Sequence, residues 1–455
     1  MKVLTAQQMR EADRQAIAGG TPADLLMSRA GTKVVEFLES EFAPLGRQRV
    51  VIFCGSGNNG GDGLVVGRLL KTRVASVQVV RVTDSPGPVD REGTIVIDAL
   101  LGTGFREPLE GRYADLIAII NGQFPRAKIV AVDIPSGMQV RADFTVTFAA
   151  PKAEMLLDPR AGNAGKLMVA DIGIPAEYLQ SDLELSGTRD FTSLFQPRKR
   201  DANKGDYGHV LVVGGAAGKI GSVAMSGLAA LRIGAGLVTV ACSDSSRLAP
   251  ELMTQSLEAP SLERMTVLAI GPGLGMNREL VERLTGDAKI PTVIDADGLN
   301  SIAGTDFRGR GVETVLTPHP GEMGRLLGAK VAVQPEDRLT TARKFAMERN
   351  VCLVLKGFRT LIAFPDGRVW INPTGSPSMA KGGTGDVLTG LIAGLIAQAA
   401  EQVPPEIGLA VRAAVWLHGR AGELAADDLT EHCVLATDLL TYLPRAIRET
   451  AESHS

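Results

Sequence analysis

Residues 372–394 read NPTGSPSMAKGGTGDVLTGLIAG, a loop rich in Gly, Pro and Ser that runs without a break into a helical pattern. Gly382, Gly383 and Gly385 let backbone N–H groups turn inward, and Val387, Leu388, Leu391, Ile392 and Leu395 repeat at helical spacing beyond them. A helix start that gathers free N–H groups suits an anion. Asp386 stands at that mouth, where a carboxylate either caps the helix or accepts a proton from a hydroxyl.

Upstream of this loop, apolar strand-like runs at 209–213, 237–241, 267–270, 292–294, 314–316 and 351–355 alternate with helical patterns at 220–234, 278–284 and 336–348. That rhythm predicts a mainly parallel sheet covered by helices on both faces. The loop GGAAGKIGS at 214–222 is either a phosphate approach or a close helix contact. Asp295, Asp297 and Asn300 cluster at a strand end, as support for Mg²⁺ through water or as turn chemistry. His319 reads as a loop residue near a helix start, and Lys356 as a lysine at a strand end followed by Gly357.

The first half has its own alternation. Thr5 and Gln8 form a capping box opening a helix, a second helix spans 23–42, and the buried strand RVVIFC at 49–54 ends in GSGNNGGDG at 55–63, with a helix expected from Leu64. Further strands are expected at 77–82, 94–99 and 128–132, with a helix at 113–120. In a parallel sheet the carboxyl ends of the strands line one crevice, so Asn58, Asn59, Asp62, Asp98, Asp133 and Ser136 can converge there. Only residues 83–93, TDSPGPVDREG, join two of these strands, and Pro86, Gly87 and Pro88 forbid a helix in that crossover. One face of the first sheet is therefore expected to be thinly covered. Periodicity dissolves after residue 175, which places a boundary near 185 and gives domains 1–185 and 186–455.

Composition bounds the rest. At 455 residues two domains are the prior, and 45% hydrophobic with 22% charged residues is globular. A net charge of -3 and only 4% aromatic residues argue against a nucleic-acid partner. Cys54, Cys242, Cys352 and Cys433 show no CxxC pairing and read as buried free thiols of a reducing compartment. The start, MKVLTAQQMREAD, turns polar too soon for a signal peptide, and the apolar run 387–400 is too short to span a bilayer, so a cytoplasmic location and no membrane partner are expected.

The motifs KGDYGHVLVVGG, ALRIGAGLVTV, IGPGLG, DADGLN, TPHPGE, LKG and NPTG through GTGDVLTG follow one another from Lys204 to Gly390. Together they resemble the ribokinase-like NAD(P)H-hydrate dehydratases. NNGGDG, DALLGTG and AVDIPSG, preceded by LMSRAG at 26–31, resemble the NAD(P)H-hydrate epimerases. The resemblance implies an α/β chain of two three-layer αβα domains, Rossmann-like then ribokinase-like, that repairs NADHX and NADPHX. It implies Asp386 as the base of an ADP- or ATP-dependent dehydration with Mg²⁺. It assigns Lys356, Gly357, Phe358, Arg359, Thr360 and Gly385 to the nucleotide, and Ser222, Gly273, His319 and Asp386 to the hydrated substrate. Ser222 departs from the Ala common in the family. In the first half it implies K⁺ held by Asn59, Asp98 and Ser136, and Asp133 at the epimerised ring. Asn58, Asn59, Gly60, Gly61, Asp62, Gly102, Thr103, Gly104, Phe105 and Arg106 would face the rest of the substrate, and a homo-oligomer is implied. The competing reading is a small-molecule kinase of the ribokinase superfamily with a non-catalytic first half.

Overall fold

The computed structural model describes residues 1–84, 87–105, 108–157, 159–329, 337–401 and 405–451. Two compact units divide the chain, Met1–Leu183 and Glu184–Ser455.

In the first unit the strands β1 (Arg49–Cys54), β2 (Ser76–Arg81), β3 (Ile95–Ala99), β4 (Lys128–Val132), β5 (Phe144–Phe148) and β6 (Lys166–Ala170) form one parallel sheet in the order β2-β1-β3-β4-β5-β6. Its helices are α1 (Ala6–Ala18), α2 (Ala23–Phe42), α3 (Asn58–Leu70), α4 (Arg112–Gln123) and the one-turn α5 (Glu154–Leu157). The capping box of Thr5 and Gln8 opens α1. The crossover through α3 runs toward one edge and that through α4 toward the other, so right-handed connections put them on opposite faces. One core joins α1, α2 and α3 to Ile52, Ile97 and Val130, and a second joins α4 to Val51, Phe53 and Val96.

The short connection between β2 and β3 carries no helix in its described residues. Val82 and Val89 pack instead against the α4-side core. The Gln78 side chain accepts the Asp90 N–H at 2.7 Å and donates to the Pro88 carbonyl at 2.9 Å, while Arg49 pairs with Asp90 at 2.8 Å. This strap is thin, yet Val51 and Phe53 beneath are fully buried.

One expectation is corrected at α3, which begins at Asn58 rather than Leu64. The glycines of NNGGDG serve close helix packing rather than a turn. A Cβ on Gly60 would lie 2.0 Å from the Gly55 oxygen, and one on Gly63 would lie 2.6 Å from Ala99 Cβ.

The second unit is built on a ten-stranded sheet of β7 (Leu183–Leu185), β8 (His209–Val213), β9 (Leu237–Cys242), β10 (Met253–Ser256), β11 (Val267–Ile270), β12 (Thr292–Ile294), β13 (Gly311–Leu316), β14 (Val351–Leu355), β15 (Leu361–Ala363) and β16 (Val369–Ile371). The order is β10-β9-β8-β11-β12-β13-β14-β15-β16-β7, parallel from β10 to β14 and antiparallel from β14 to β16. The helices are α6 (Ile220–Ile233), α7 (Arg278–Asp287), α8 (Ala296–Ile302), α9 (Pro320–Leu326), α10 (Arg338–Arg349), α11 (Thr384–Ala400), α12 (Ile407–Leu429) and α13 (Asp438–Ala451). The crossover through α6 runs opposite to those through α7–α10, so the two sets cover opposite faces. Val223 of α6, Leu391 of α11 and Leu417 of α12 share one core with Val210 and Val212.

Cys54, Cys242 and Cys352 are buried free thiols as expected, but Cys433, between α12 and α13, is exposed. No helix among the described residues is long and apolar enough to cross a membrane.

Candidate active sites

Each sheet reverses its strand order once beside its first site loop, between β1 and β3 and between β8 and β11. Loops diverge at such a point and leave a crevice at the carboxyl ends of the strands. At each of these points a glycine lets two loops approach closely. A Cβ on Gly55 would meet the Leu100 oxygen at 1.8 Å, and one on Gly214 the Pro272 oxygen at 2.0 Å.

The first crevice is a cavity of about 510 Å³ lined by Asn58, Asn59, Asp62, Gly102, Thr103, Gly104, Phe105 and Asp133. Two expected residues do not line it. Gly60 abuts Gly55, and Gly61 lies under Met27, 2.6 Å from a Cβ on Gly61 to the Met27 methyl. Arg106 lies outside the described residues.

Asp133 adopts a positive φ of 64°, and its carboxylate pairs with the Lys152 ammonium. Lys152 is 1% exposed and also donates to Thr147 Oγ1 at 2.8 Å and the Phe148 carbonyl at 3.1 Å. Lys152 and Asp13 of α1 both line the cavity, and sequence reasoning missed them. Neither belongs to a glycine loop, and only the fold brings α1 and the segment after β5 to the crevice. Asp62 has no hydrogen-bond partner among the described residues. Burial pushes its carboxyl up to about 8, with Asp133 and Asp13 adding to the effect and Lys152 opposing it. Burial likewise lifts Asp13 to about 6.

Beside this cavity Asp98 and Ser136 are fully buried and Asn59 nearly so. Ser136 donates its hydroxyl to Asp98 Oδ1 at 2.6 Å and its N–H to Oδ2 at 2.8 Å. Asn59 Nδ2 donates to the Leu101 carbonyl at 3.0 Å, while Asn59 Oδ1 is buried without a partner. Burial raises Asp98 to about 6 despite those bonds. An orphaned carbonyl oxygen, a serine hydroxyl and a buried carboxylate are hard oxygen donors of the kind that a hard metal cation takes.

In the second unit a cavity of about 500 Å³ is lined by Lys356, Gly357, Phe358, Arg359, Thr360 and Gly385, together with Asn372, Thr374, Thr384 and His418. His418, from α12, was invisible in the sequence. Burial drops its imidazole to about 4, so it is neutral, and Nε2 lies 2.8 Å from the Thr384 carbonyl. Lys356 Nζ pairs with Asp295 at 2.8 Å and lies 3.8 Å from Glu322. Burial works against the Asp295 carboxylate, but Lys356 and the hydroxyls of Thr317 and Thr389, each at 2.7 Å, outweigh it and hold the group below its usual range.

Helix α11 starts at Thr384 with Gly383 as its N-cap, at φ 94° and with no side-chain cap bond. Asp386 therefore does not cap the helix. It is the third residue of the first turn, and burial pushes its carboxyl up to about 6, helped by Asp295 and opposed by a hydrogen bond with Ser222. A Cβ on Gly273 would lie 3.2 Å from Ser222 Cβ, which brings Gly273, Ser222 and Asp386 together. None of these three lines the neighbouring cavity, and neither does His319. His319 caps α9, its Nδ1 accepting the Gly321 and Glu322 N–H groups at 3.0 and 3.3 Å.

The members of the acidic cluster have partners within the protein. Asp297 pairs with Lys219 at 3.1 Å and accepts the Gly275 N–H at 2.7 Å, and Asn300 accepts from Arg325 at 2.8 Å. Among the described residues no group of three His, Cys, Asp or Glu is placed to hold a metal.

Residues 210–445 match the family described as NAD(P)H-hydrate dehydratase. Residues 23–92 and 83–154 match, in two pieces, the family described as YjeF-related protein N-terminus, and the pieces meet at the strap. The bifunctional NAD(P)H-hydrate repair enzyme of Moorella thermoacetica is 39% identical over 99% of this chain and 98% of its own. That alignment spans 525 positions for a chain of 455 residues, so at least 70 have no counterpart here. The enzyme of the same name from Escherichia coli is 33% identical over 98% of this chain and 95% of its own. Among solved structures, the ADP/ATP-dependent NAD(P)H-hydrate dehydratase of Bacillus subtilis, co-crystallised with ATP/Mg²⁺, is 32% identical with a TM-score of 0.53, covering 59% of this chain and 98% of that one. A ribokinase-like superfamily protein from Enterococcus faecalis is 28% identical with a TM-score of 0.53, covering 60% of this chain and 98% of that one.

Proposed function

The chain belongs to the family of bifunctional NAD(P)H-hydrate repair enzymes, and from that premise we propose how its two sites divide the work. Residues 186–455 dehydrate (S)-NAD(P)HX at the expense of ADP or ATP with Mg²⁺, and residues 1–185 interconvert the (R) and (S) epimers. The observation that carries this reading is the end of α11. The cavity containing all six expected nucleotide residues reaches Gly385 in its first turn, and Asp386 follows immediately.

Hydroxide is a poor leaving group near neutral pH, so transferring a phosphoryl group to the substrate hydroxyl first makes elimination possible. Asp386 takes the hydroxyl proton, and the free amides from Gly383 to Asp386 stabilise the phosphoryl group in flight. Gly273 and Ser222 form the wall on the Asp386 side, with His319 fixed nearby by its capping role. Lys356 supports the nucleotide while Asp295 holds its charge in place.

In the first domain Asn58, Asn59 and the Gly102–Thr103–Gly104–Phe105 loop hold the substrate, and Asp133 contacts its ring. Asn59, Asp98 and Ser136 would hold K⁺, which supplies positive charge beside a pyrophosphate. Three buried free thiols support a reducing, cytoplasmic setting.

The test is recovery of dihydronicotinamide absorbance from a mixture of both NADHX epimers, with ADP, with ATP and with neither, in Mg²⁺ and K⁺. Nucleotide-dependent recovery of the whole mixture, faster than spontaneous epimerisation, is expected. Recovery of one epimer alone, rescued by an added epimerase, would remove the epimerase role. No recovery would favour the kinase reading.

A further inference from the structure

The first crevice contains more acid than the proposed reaction has used. Three carboxyls, Asp13, Asp62 and Asp133, line it with one buried ammonium, Lys152, and that ammonium is committed to Asp133. The Asp62 side chain is without a hydrogen bond, the residue is 9% exposed, and it is the fifth of α3, just past the first turn rather than at the N-cap. A carboxylate in that position would neither cap the helix nor favour a phosphate. A carboxylic acid there can donate a proton into the cavity.

The chemistry of the substrate supplies the acceptor. Water adds to an enamine with its proton on the far carbon and its oxygen on the carbon bonded to nitrogen, so the hydrate is a carbinolamine. We propose that Asp62 is the general acid of epimerisation, protonating the ring nitrogen as the Asp133 carboxylate removes the hydroxyl proton. The proposal rests on the reading that this domain is an epimerase. As Asp133 takes the O–H proton, the C–O bond becomes a carbonyl, the adjacent C–N bond breaks, and its electron pair takes the Asp62 proton. Rotation about the neighbouring C–C bond turns the other face of the aldehyde to the nitrogen. Reclosure returns one proton to Asp62 and one to oxygen, so no oxidant, reductant or water is consumed.

The other titratable groups that line the cavity are less suited. Asp13 is more exposed, Tyr113 is hydrogen-bonded to Ser56 at 3.2 Å, and Arg10 and Lys152 are cations, the latter held by Asp133, Thr147 and Phe148. The Asp62 carboxyl, raised to about 8, keeps its proton at neutral pH.

The experiment follows equilibration of one pure NADHX epimer by chromatography, using the full chain without nucleotide so that dehydration is silent. Asp62→Asn should lower kcat for epimerisation by about a hundredfold or more with little change in KM. The fall of the wild-type rate as pH rises through about 8 should disappear in that variant. Dehydration of the (S) epimer with ADP by the same protein should be unchanged, and unfolding followed by a probe in the first domain should remain one cooperative transition, which verifies that this domain is folded. An ¹⁸O label on the substrate hydroxyl should be retained through each turnover. Wild-type epimerisation in Asp62→Asn, a persisting alkaline limb, or loss of the label at every turnover would each overturn the proposal. A wild-type chain that dehydrates but never epimerises above the spontaneous rate would instead overturn the underlying reading, and the proposal with it.

Discussion

Asp295 and Asp62 are both buried aspartates at the mouths of parallel sheets, yet their carboxyls are driven in opposite directions. Asp295, 1% exposed, has a lysine and two threonine hydroxyls and stays below the usual carboxylate range. Asp62, 9% exposed, has no such partner and rises to about 8. Burial is similar, so partners decide. A buried carboxylate with a full set of partners is architecture that holds Lys356 in place. One without partners is a proton store. The same contrast appears inside each domain, where Asp386 beside Asp295 and Asp62 beside Asp133 are the less satisfied members of their pairs.

The largest effect expected from breaking this contrast is at Asp386. Asp386→Asn removes the proposed base while keeping the size of the side chain, and dehydration of (S)-NADHX should fall by about a thousandfold. Epimerisation by the same protein should be unaffected. A variant that dehydrates within about threefold of wild type would exclude Asp386 as the proton acceptor.

Second comes removal of the two lysines. Lys356→Met leaves Asp295 as an uncompensated buried charge and should cost the second domain about 3–5 kcal/mol. Lys152→Met should cost the first domain less, about 1–2 kcal/mol, because the Asp133 side chain is 18% exposed at the cavity wall and water can reach it. Denaturant unfolding of the full chain, followed by separate probes in the two domains, measures both. Equal losses would erase the distinction between a structural and a chemical carboxylate. Adding Asp295→Asn to Lys356→Met should recover part of the larger loss.

A third test uses pH. Asp62 has a folded value above its unfolded one, so its contribution to stability is fully present below about 4, the ordinary carboxylate value, and is lost as pH rises through about 8. The first domain should therefore lose stability across that window, and Asp62→Asn should flatten the loss. Asp295 has the opposite sign. Its contribution is present above the ordinary carboxylate range and is lost only in strong acid, so the second domain should show no matching decline from this group.

Much of the scaffold was legible because buried parallel strands are short runs of Val, Ile and Leu, and glycine loops mark their ends. The strands RVVIFC and VCLVL and the helix after GTGD followed from pattern alone. The start of α3 was misread because glycines that let helices pack closely resemble glycines that turn a chain. The partners were hidden for a different reason. Lys152 lies 19 residues beyond Asp133, and Lys356 lies 61 residues beyond Asp295, so only the crossovers of the sheet create either pair. His418 and Asp13 enter the cavities from helices whose sequences carry no mark of a site. The strap in the first domain combined both cases. The missing helix could be read from its prolines, but the Gln78, Val89 and Asp90 contacts that replace it could not.

The smallest effect concerns Ser222, beside Asp386 in the first turn of α6. Its hydrogen bond favours the ionised form of Asp386 and works against burial, the larger influence, and against Asp295. Ser222→Ala removes that support, so the base should become harder to ionise. One pH unit corresponds to about 1.4 kcal/mol, and a hydrogen bond to a charged group is worth about that much, so the acid limb of dehydration should move up by up to about one unit from its position near 6. At pH 8 the base is ionised in both proteins and their rates should agree; at pH 6 the variant should be several-fold slower. A uniform loss at both pH values would assign Ser222 to substrate contact instead. No change at either would mean that water replaces the hydroxyl, and that the higher value of Asp386 relative to Asp295 comes from burial and charge alone.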